Sequence, residues 1–201
     1  MTTMAHAERT LNLPAHDENH KDPAVAEPLK ATKKVFGMVP NMYARMANHP
    51  GLFTTYRTGY DAFRAGGLSP VEQEVVFLAI SRFHGCGYCV AAHSAVADMV
   101  RIPGEVTEAL RAGGPLPDPK LDALASFTRA MVERRGLPTA AELDAFLAAG
   151  YSETDVLAIV LAIATKTISN FTNHLFDTPI DGAFAHRRWD DPEAAEAEGA
   201  G

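Results

Sequence analysis

The strongest constraint on the fold is a repetition. When the chain is slid along itself by 83 positions, "DAFRAGGLS" at 61–69 falls on "DAFLAAGYS" at 144–152, and "FLAI" at 77–80 falls on "VLAI" at 160–163. Each copy reads as an amphipathic helix that stops at glycine, followed by a serine able to cap the next helix. In the first copy that next helix opens on "SPVEQE", where Ser69, Pro70 and Glu72 make the pattern of a capping box. The pattern predicts a duplicated helix–turn–helix unit; the alternative is coincidence between two helices with common caps. Under the same offset Glu74 aligns with Leu157, Cys86 with Ser169, Cys89 with Thr172 and His93 with Phe176. The second copy is therefore expected to be structural, with the reactive groups in the first.

The remaining segments carry the same punctuation. Asp22-Pro23 opens a helix to about Phe36, and "GLFTTYRTGYDAFRAGG" (51–67) ends on a double glycine. "DPKLDALASFTRAMVERRG", "TAAELDAFLAAG" and "SETDVLAIVLAIATKTISNF" have similar start and stop signals. "VVFLAI" has the composition of a strand, but the capping box before it and the lack of alternation favour a buried helix. No hairpin signal is present. The expectation is an all-α chain: a polar tail over 1–21, one helical domain over 22–189 and an acidic tail over 190–201.

Charge narrows the function. A net charge of −7 argues against a nucleic-acid partner, which needs a basic surface. The longest apolar run, "VLAIVLAIA" at 156–164, is too short to span a bilayer, and the N-terminus lacks a secretory pattern. No membrane association and a cytoplasmic location are expected. In that compartment a cysteine pair points to metal binding or redox chemistry rather than to a permanent disulfide.

Both cysteines of the chain, and two of its eight histidines, lie in "HGCGYCVAAH" at 84–93. Gly85 and Gly87 predict a turn before a new helix. Cys86, Cys89 and His93 then share one helix face, provided Cys86 stands at or before the first turn. Exposed N–H groups at a helix start stabilise a thiolate, and a histidine four residues after Cys89 can take its proton. The pair suits attack on an oxidant by one sulfur and resolution by the other. A zinc site would use Cys86, Cys89, His93 and a fourth ligand such as His84, but no second Cys/His pair stands at finger-like spacing. Haem attachment needs a histidine directly after the second cysteine, where Val90 stands. The plainest alternative is two small buried residues and a core histidine. Glu74, taken alone, reads as a carboxylate near a helix N-terminus.

With these residues in view, the sequence resembles the alkylhydroperoxidase D family within the broader carboxymuconolactone decarboxylase-like superfamily. The likeness rests on Glu74, Cys86-Gly-Tyr-Cys89 and His93, from about Leu68 to Val100. "NFTNHLFDTPID" near the C-terminus is similar to the peroxidase-related subgroup. The resemblance implies an all-helical fold assembling into trimers or hexamers. It implies an antioxidant, cysteine-based peroxidase that reduces hydroperoxides without metal or other cofactor, recharged by a thiol, lipoyl or thioredoxin-like reductant. Carried over, Cys89 is the attacking thiol and Cys86 the resolving one. His93 deprotonates Cys89 through water, and Glu74 relays protons to His93. One relay histidine of the family is here Tyr88, which is expected to position water or the substrate oxygen; His84 is an auxiliary candidate that orients the loop. Two rival functions are a redox sensor or adaptor with a reversible disulfide and a lactone decarboxylase-like lyase, whose branch lacks the cysteine pair.

Overall fold

The computed structural model describes residues 10–192. Its elements are α1 (Pro23–Phe36), α2 (Asn41–Met46), α3 (Pro50–Arg64), α4 (Pro70–Phe83), α5 (Gly87–Met99), α6 (Gly104–Ala112), α7 (Pro119–Glu133), α8 (Ala140–Ala148), α9 (Glu153–Phe176) and a 3-10 turn at Gly182–Arg187. The chain is all-α. Caps set the boundaries: the Asp22 side chain accepts from the Ala24 N–H, and Gly37 ends α1 in the left-handed region at φ 74°.

The pairs α3–α4 and α8–α9 occupy the repeated segments. Both second helices start on a complete capping box, Ser69 with Glu72 and Ser152 with Asp155. They then diverge. Helix α4 ends at Phe83 and the chain turns into α5, whereas α9 runs on for 24 residues through Lys166, the position equivalent to Phe83. That break in the first copy creates the helix start on which the cysteines stand.

Helix α4 touches α3, α5, α6, α7 and α9. Val75, Val76, Phe77, Leu78 and Ile80 are all buried, which is why "VVFLAI" shows no alternation. Around them lies the larger core, including a stack of Phe127, Phe146 and Tyr151 with centroids 4.3 and 4.7 Å apart. Each large apolar side chain buried there contributes about 1.5–3 kcal/mol. A second, smaller core of Val25, Leu29, Met42, Met46, Phe53 and Tyr56 packs on Cys86, Tyr88 and Cys89. Gly59 lets α3 approach α9: a Cβ there would stand 2.7 Å from the Thr165 hydroxyl.

Residues 10–21 do not hang free of this body. Leu11 donates its N–H to the Leu175 carbonyl at 2.8 Å, His16 to that of Ala44 at 2.9 Å, and the Arg45 guanidinium reaches the Leu13 carbonyl. At the other end Arg111 donates to the carbonyls of Arg187 and Arg188, Arg187 pairs with Asp98 and Glu108, and the Trp189 indole donates to the Arg111 carbonyl at 3.1 Å. The segment after α9 is thereby strapped across α5 and α6. The outer parts of both expected tails, 1–9 and 193–201, lie outside the described residues.

Helix α9 is long and apolar enough, by length and composition, to cross a membrane. Its polarity is inverted relative to an ordinary surface helix. Leu157, Val160, Phe171 and Leu175 are exposed, while Lys166, Ser169, Asn170 and Asn173 are buried. The polar stripe faces the smaller core and the cysteines.

Candidate active site

Cys86 is the N-cap residue of α5. The turn before it needs Gly85 at φ 65°, and a Cβ there would also stand 2.9 Å from an Asp191 carboxylate oxygen. Cys89 follows one turn into the helix. Both thiols are free and buried, at 1% and 2% exposure.

The surroundings of the two sulfurs differ. Asn173 of α9 directs its Nδ2 at Cys89 Sγ (3.2 Å), with Met42 Sδ at 3.3 Å and Cys86 Sγ at 3.9 Å. Ser169 Oγ lies 4.0 Å from Cys89 Sγ. Burial pushes the Cys89 thiol up. The hydrogen bond from Cys86, the positive charge of Lys166 and the Asn173 amide outweigh it and bring its pKa down to about 6. Burial and the neighbouring Cys89 push Cys86 the other way, above the ordinary thiol range. The helix start alone would favour Cys86. The side chains that stabilise a negative sulfur converge on Cys89 instead.

His93 and Glu74, nineteen residues apart in sequence, are brought together. His93 Nδ1 lies 2.8 Å from Glu74 Oε2, and the Arg64 guanidinium of α3 pairs with the other carboxylate oxygen. Burial opposes the charge of Glu74, but the bonds from His93 and Arg64 hold it below the usual carboxylate range. An ionised carboxylate only accepts, so Nδ1 of His93 carries the hydrogen and Nε2 presents a lone pair. Burial, then the charge of Lys166, lower the His93 pKa to about 4, so the ring is neutral near pH 7.

The Tyr88 hydroxyl donates to Asp181 Oδ2 at 2.5 Å and receives the Met42 N–H at 3.5 Å. The strap after α9 brings this carboxylate onto the first turn of α5. Burial and the bond to Asp181 raise the phenol well above its ordinary value. His84 takes the Asn170 amide on Nδ1 at 2.9 Å; burial and the charges of His174 and Lys166 lower its pKa to about 4. With His93 turned to Glu74 and His84 to Asn170, the four residues of the zinc alternative do not converge.

The second copy reaches the cysteines. Of the positions aligned with the reactive groups, Thr172 returns its hydroxyl to the Ile168 carbonyl and Phe176 sits under Arg45, but Ser169 lies beside Cys89. Lys166 and Asn173 of the same helix join it. The readable signal was their spacing, 166, 169 or 170, then 173, which is one helix face.

Residues 50–130 match the carboxymuconolactone decarboxylase family. No curated protein matches the chain. Solved structures do. An alkylhydroperoxidase AhpD core, a peroxidase-related protein from Ralstonia eutropha JMP134, has 21% identity over 89% of this chain and 96% of its own, with a TM-score of 0.76. A peroxidase-related protein from Silicibacter sp. TM1040 has 18% identity over 87% and 95%, with a TM-score of 0.71. The debrominase Bmp8 has 18% identity over 90% and 97%, also with a TM-score of 0.71. The family match spans the helices that carry Glu74, the cysteine pair and His93, and the fold around them is similar to that of the AhpD core.

Proposed function

We propose that the protein reduces hydroperoxides with Cys89 as attacking and Cys86 as resolving thiol. The observation that carries this reading is the unequal acidity of two adjacent buried sulfurs, one lowered to about 6 and the other raised. The thiolate of Cys89 attacks the terminal peroxide oxygen. A sulfur–oxygen bond forms, the oxygen–oxygen bond breaks, and the alkoxide takes up the proton that Cys89 gave up on ionising. The sulfenic acid on Cys89 is then attacked by Cys86. The disulfide forms, and hydroxide leaves with the Cys86 proton as water. A dithiol reductant of thioredoxin or lipoyl type restores the pair. The Glu74–His93 unit, with Nε2 as acceptor, serves as the proton route. Metal or other cofactor chemistry has no part in this scheme.

The experiment is hydroperoxide consumption with excess dithiol. Cys89→Ser abolishes it; Cys86→Ser reacts once and leaves a sulfenic acid that dimedone traps on Cys89. A single stoichiometric oxidation of the wild type, without turnover, supports the redox-sensor reading instead. Trapping on Cys86 but not on Cys89 reverses the roles. A second reading comes from the likeness to Bmp8: the same thiolate takes bromine from carbon, the carbanion picks up a proton, and Cys86 displaces bromide as the disulfide forms. Release of bromide from a brominated aromatic, with no peroxide turnover, would select it.

A further inference from the structure

The mechanism above leaves one buried charge without a role. Lys166 is fully buried, and its ammonium makes no hydrogen bond to any described residue. Such a charge is expensive to keep in a protein interior unless something negative faces it. The nearby carboxylate, Glu74, is taken by Arg64 and His93. Lys166 lies 5.5 Å from the centroid of the Phe77 ring, which packs 4.9 Å from the His93 ring. Its field reaches His84, His93, Cys86 and Cys89, and of these Cys89 is the group whose ionised form it favours most directly, beside Asn173.

We propose that Lys166 is the counter-charge of the Cys89 thiolate: the second copy of the repeat supplies the cation that makes the cysteine of the first copy nucleophilic. This deepens the thiol reading of the site and rests on it. Lys166 is a positioning residue that acts through the sulfur. The charge is its contribution, since His93 is neutral near pH 7 and supplies none to the sulfur. The other titratable groups around Cys89 are also neutral: Cys86 and Tyr88 on its own helix and Tyr56 from α3, all raised by burial. Arg64 is the further cation of the region, and its charge is spent on Glu74. A long cationic side chain at 166 needs the straight run of α9 past the point where α4 breaks, so the asymmetry between the copies is what brings it to the sulfur.

The test reads the thiol directly and does not depend on any peroxide activity. In the Cys86→Ser background, which leaves one thiol, the pH dependence of iodoacetamide alkylation and of thiolate absorbance at 240 nm gives the Cys89 midpoint. A hydroxyl in place of the Cys86 thiol can still donate to Cys89, so the expected midpoint stays below the ordinary thiol value. Lys166→Met, which keeps the length and removes the charge, raises it by about 1–3 units; a two-unit rise slows alkylation at pH 7 roughly tenfold. A merely structural lysine would lower the melting temperature and leave the midpoint alone. Lys166→Gln is the second variant, with the same expected rise in midpoint, and His93→Gln leaves the midpoint where it is. A wild-type midpoint at the ordinary thiol value, or an unchanged midpoint in a folded Lys166→Met or Lys166→Gln protein, overturns the proposal. A midpoint that follows Lys166 in a protein with no hydroperoxide turnover retains it and removes the peroxidase reading.

Discussion

Tyr88→Phe removes one oxygen and distinguishes a tyrosine that holds the fold from one that serves the chemistry. Tyr88 and Asp181 are both buried, and the hydroxyl donates to the carboxylate at 2.5 Å. A hydrogen bond to a charged group contributes about 1.5–3 kcal/mol. The loss should fall at the lower end of that range, because the backbone N–H of Asn41 still donates to both Asp181 oxygens, at 3.1 and 3.3 Å. For a chain of this size about 1.5 kcal/mol lowers the melting temperature by roughly 3–6 °C. Cys89 does not lose a partner in the variant, since Asn173, Ser169 and Lys166 come from α9. Scanning calorimetry should therefore show the drop, while alkylation of Cys89 at pH 7 and hydroperoxide turnover, measured well below the transition, stay at the wild-type level. Turnover that falls as far as in Cys89→Ser, with the melting temperature unchanged, would refute the structural role and place the phenol in the chemistry.

Acid should weaken the fold from about pH 6.5 downward, where the two histidines begin to oppose it. His84 and His93 are both held down to about 4, against 6.5 for the free side chain. The unfolded chain thus binds two protons that the folded one refuses, so stability is full above about 6.5 and falls as the pH drops from there to about 4. Urea midpoints at pH 7 and pH 4.5 check this, and equal midpoints contradict it. Self-association is expected through the outer face of α9, where Leu157, Val160, Phe171 and Leu175 make an exposed apolar stripe. Light scattering should find a trimer or hexamer that Leu157→Glu with Phe171→Glu shifts to monomer; a wild type that is monomeric at micromolar concentration counts against it.

Local signals were enough for most of the fold. Capping needs only a side chain and the backbone three residues on, so Ser69 with Glu72 and Asp22 with Pro23 mark helix starts from sequence alone. The turn at Gly85 is equally local, and it places Cys86 at the head of α5. The pairing of Glu74 with His93 was legible only through family resemblance, because nineteen residues and a turn separate them and no local rule fixes their distance. Arg64, which completes that pair from α3, gave no signal.

The largest difference concerns α9. Its polar positions, from Lys166 to Asn173, have the spacing of one helix face, and by composition such a face belongs to solvent. Which face of a helix turns inward depends on what packs against it. Here the closely approaching α3, with α4 and α5, covers the polar side and leaves the apolar side outside. The sequence by itself determined the helices, the duplication and the turn that pairs the cysteines, since all of these rest on backbone capping and short-range spacing. Only the tertiary structure decided which sulfur is acidic and what Tyr88 holds, since burial and the charges of residues some eighty to ninety positions away act through space and leave no mark on the local pattern.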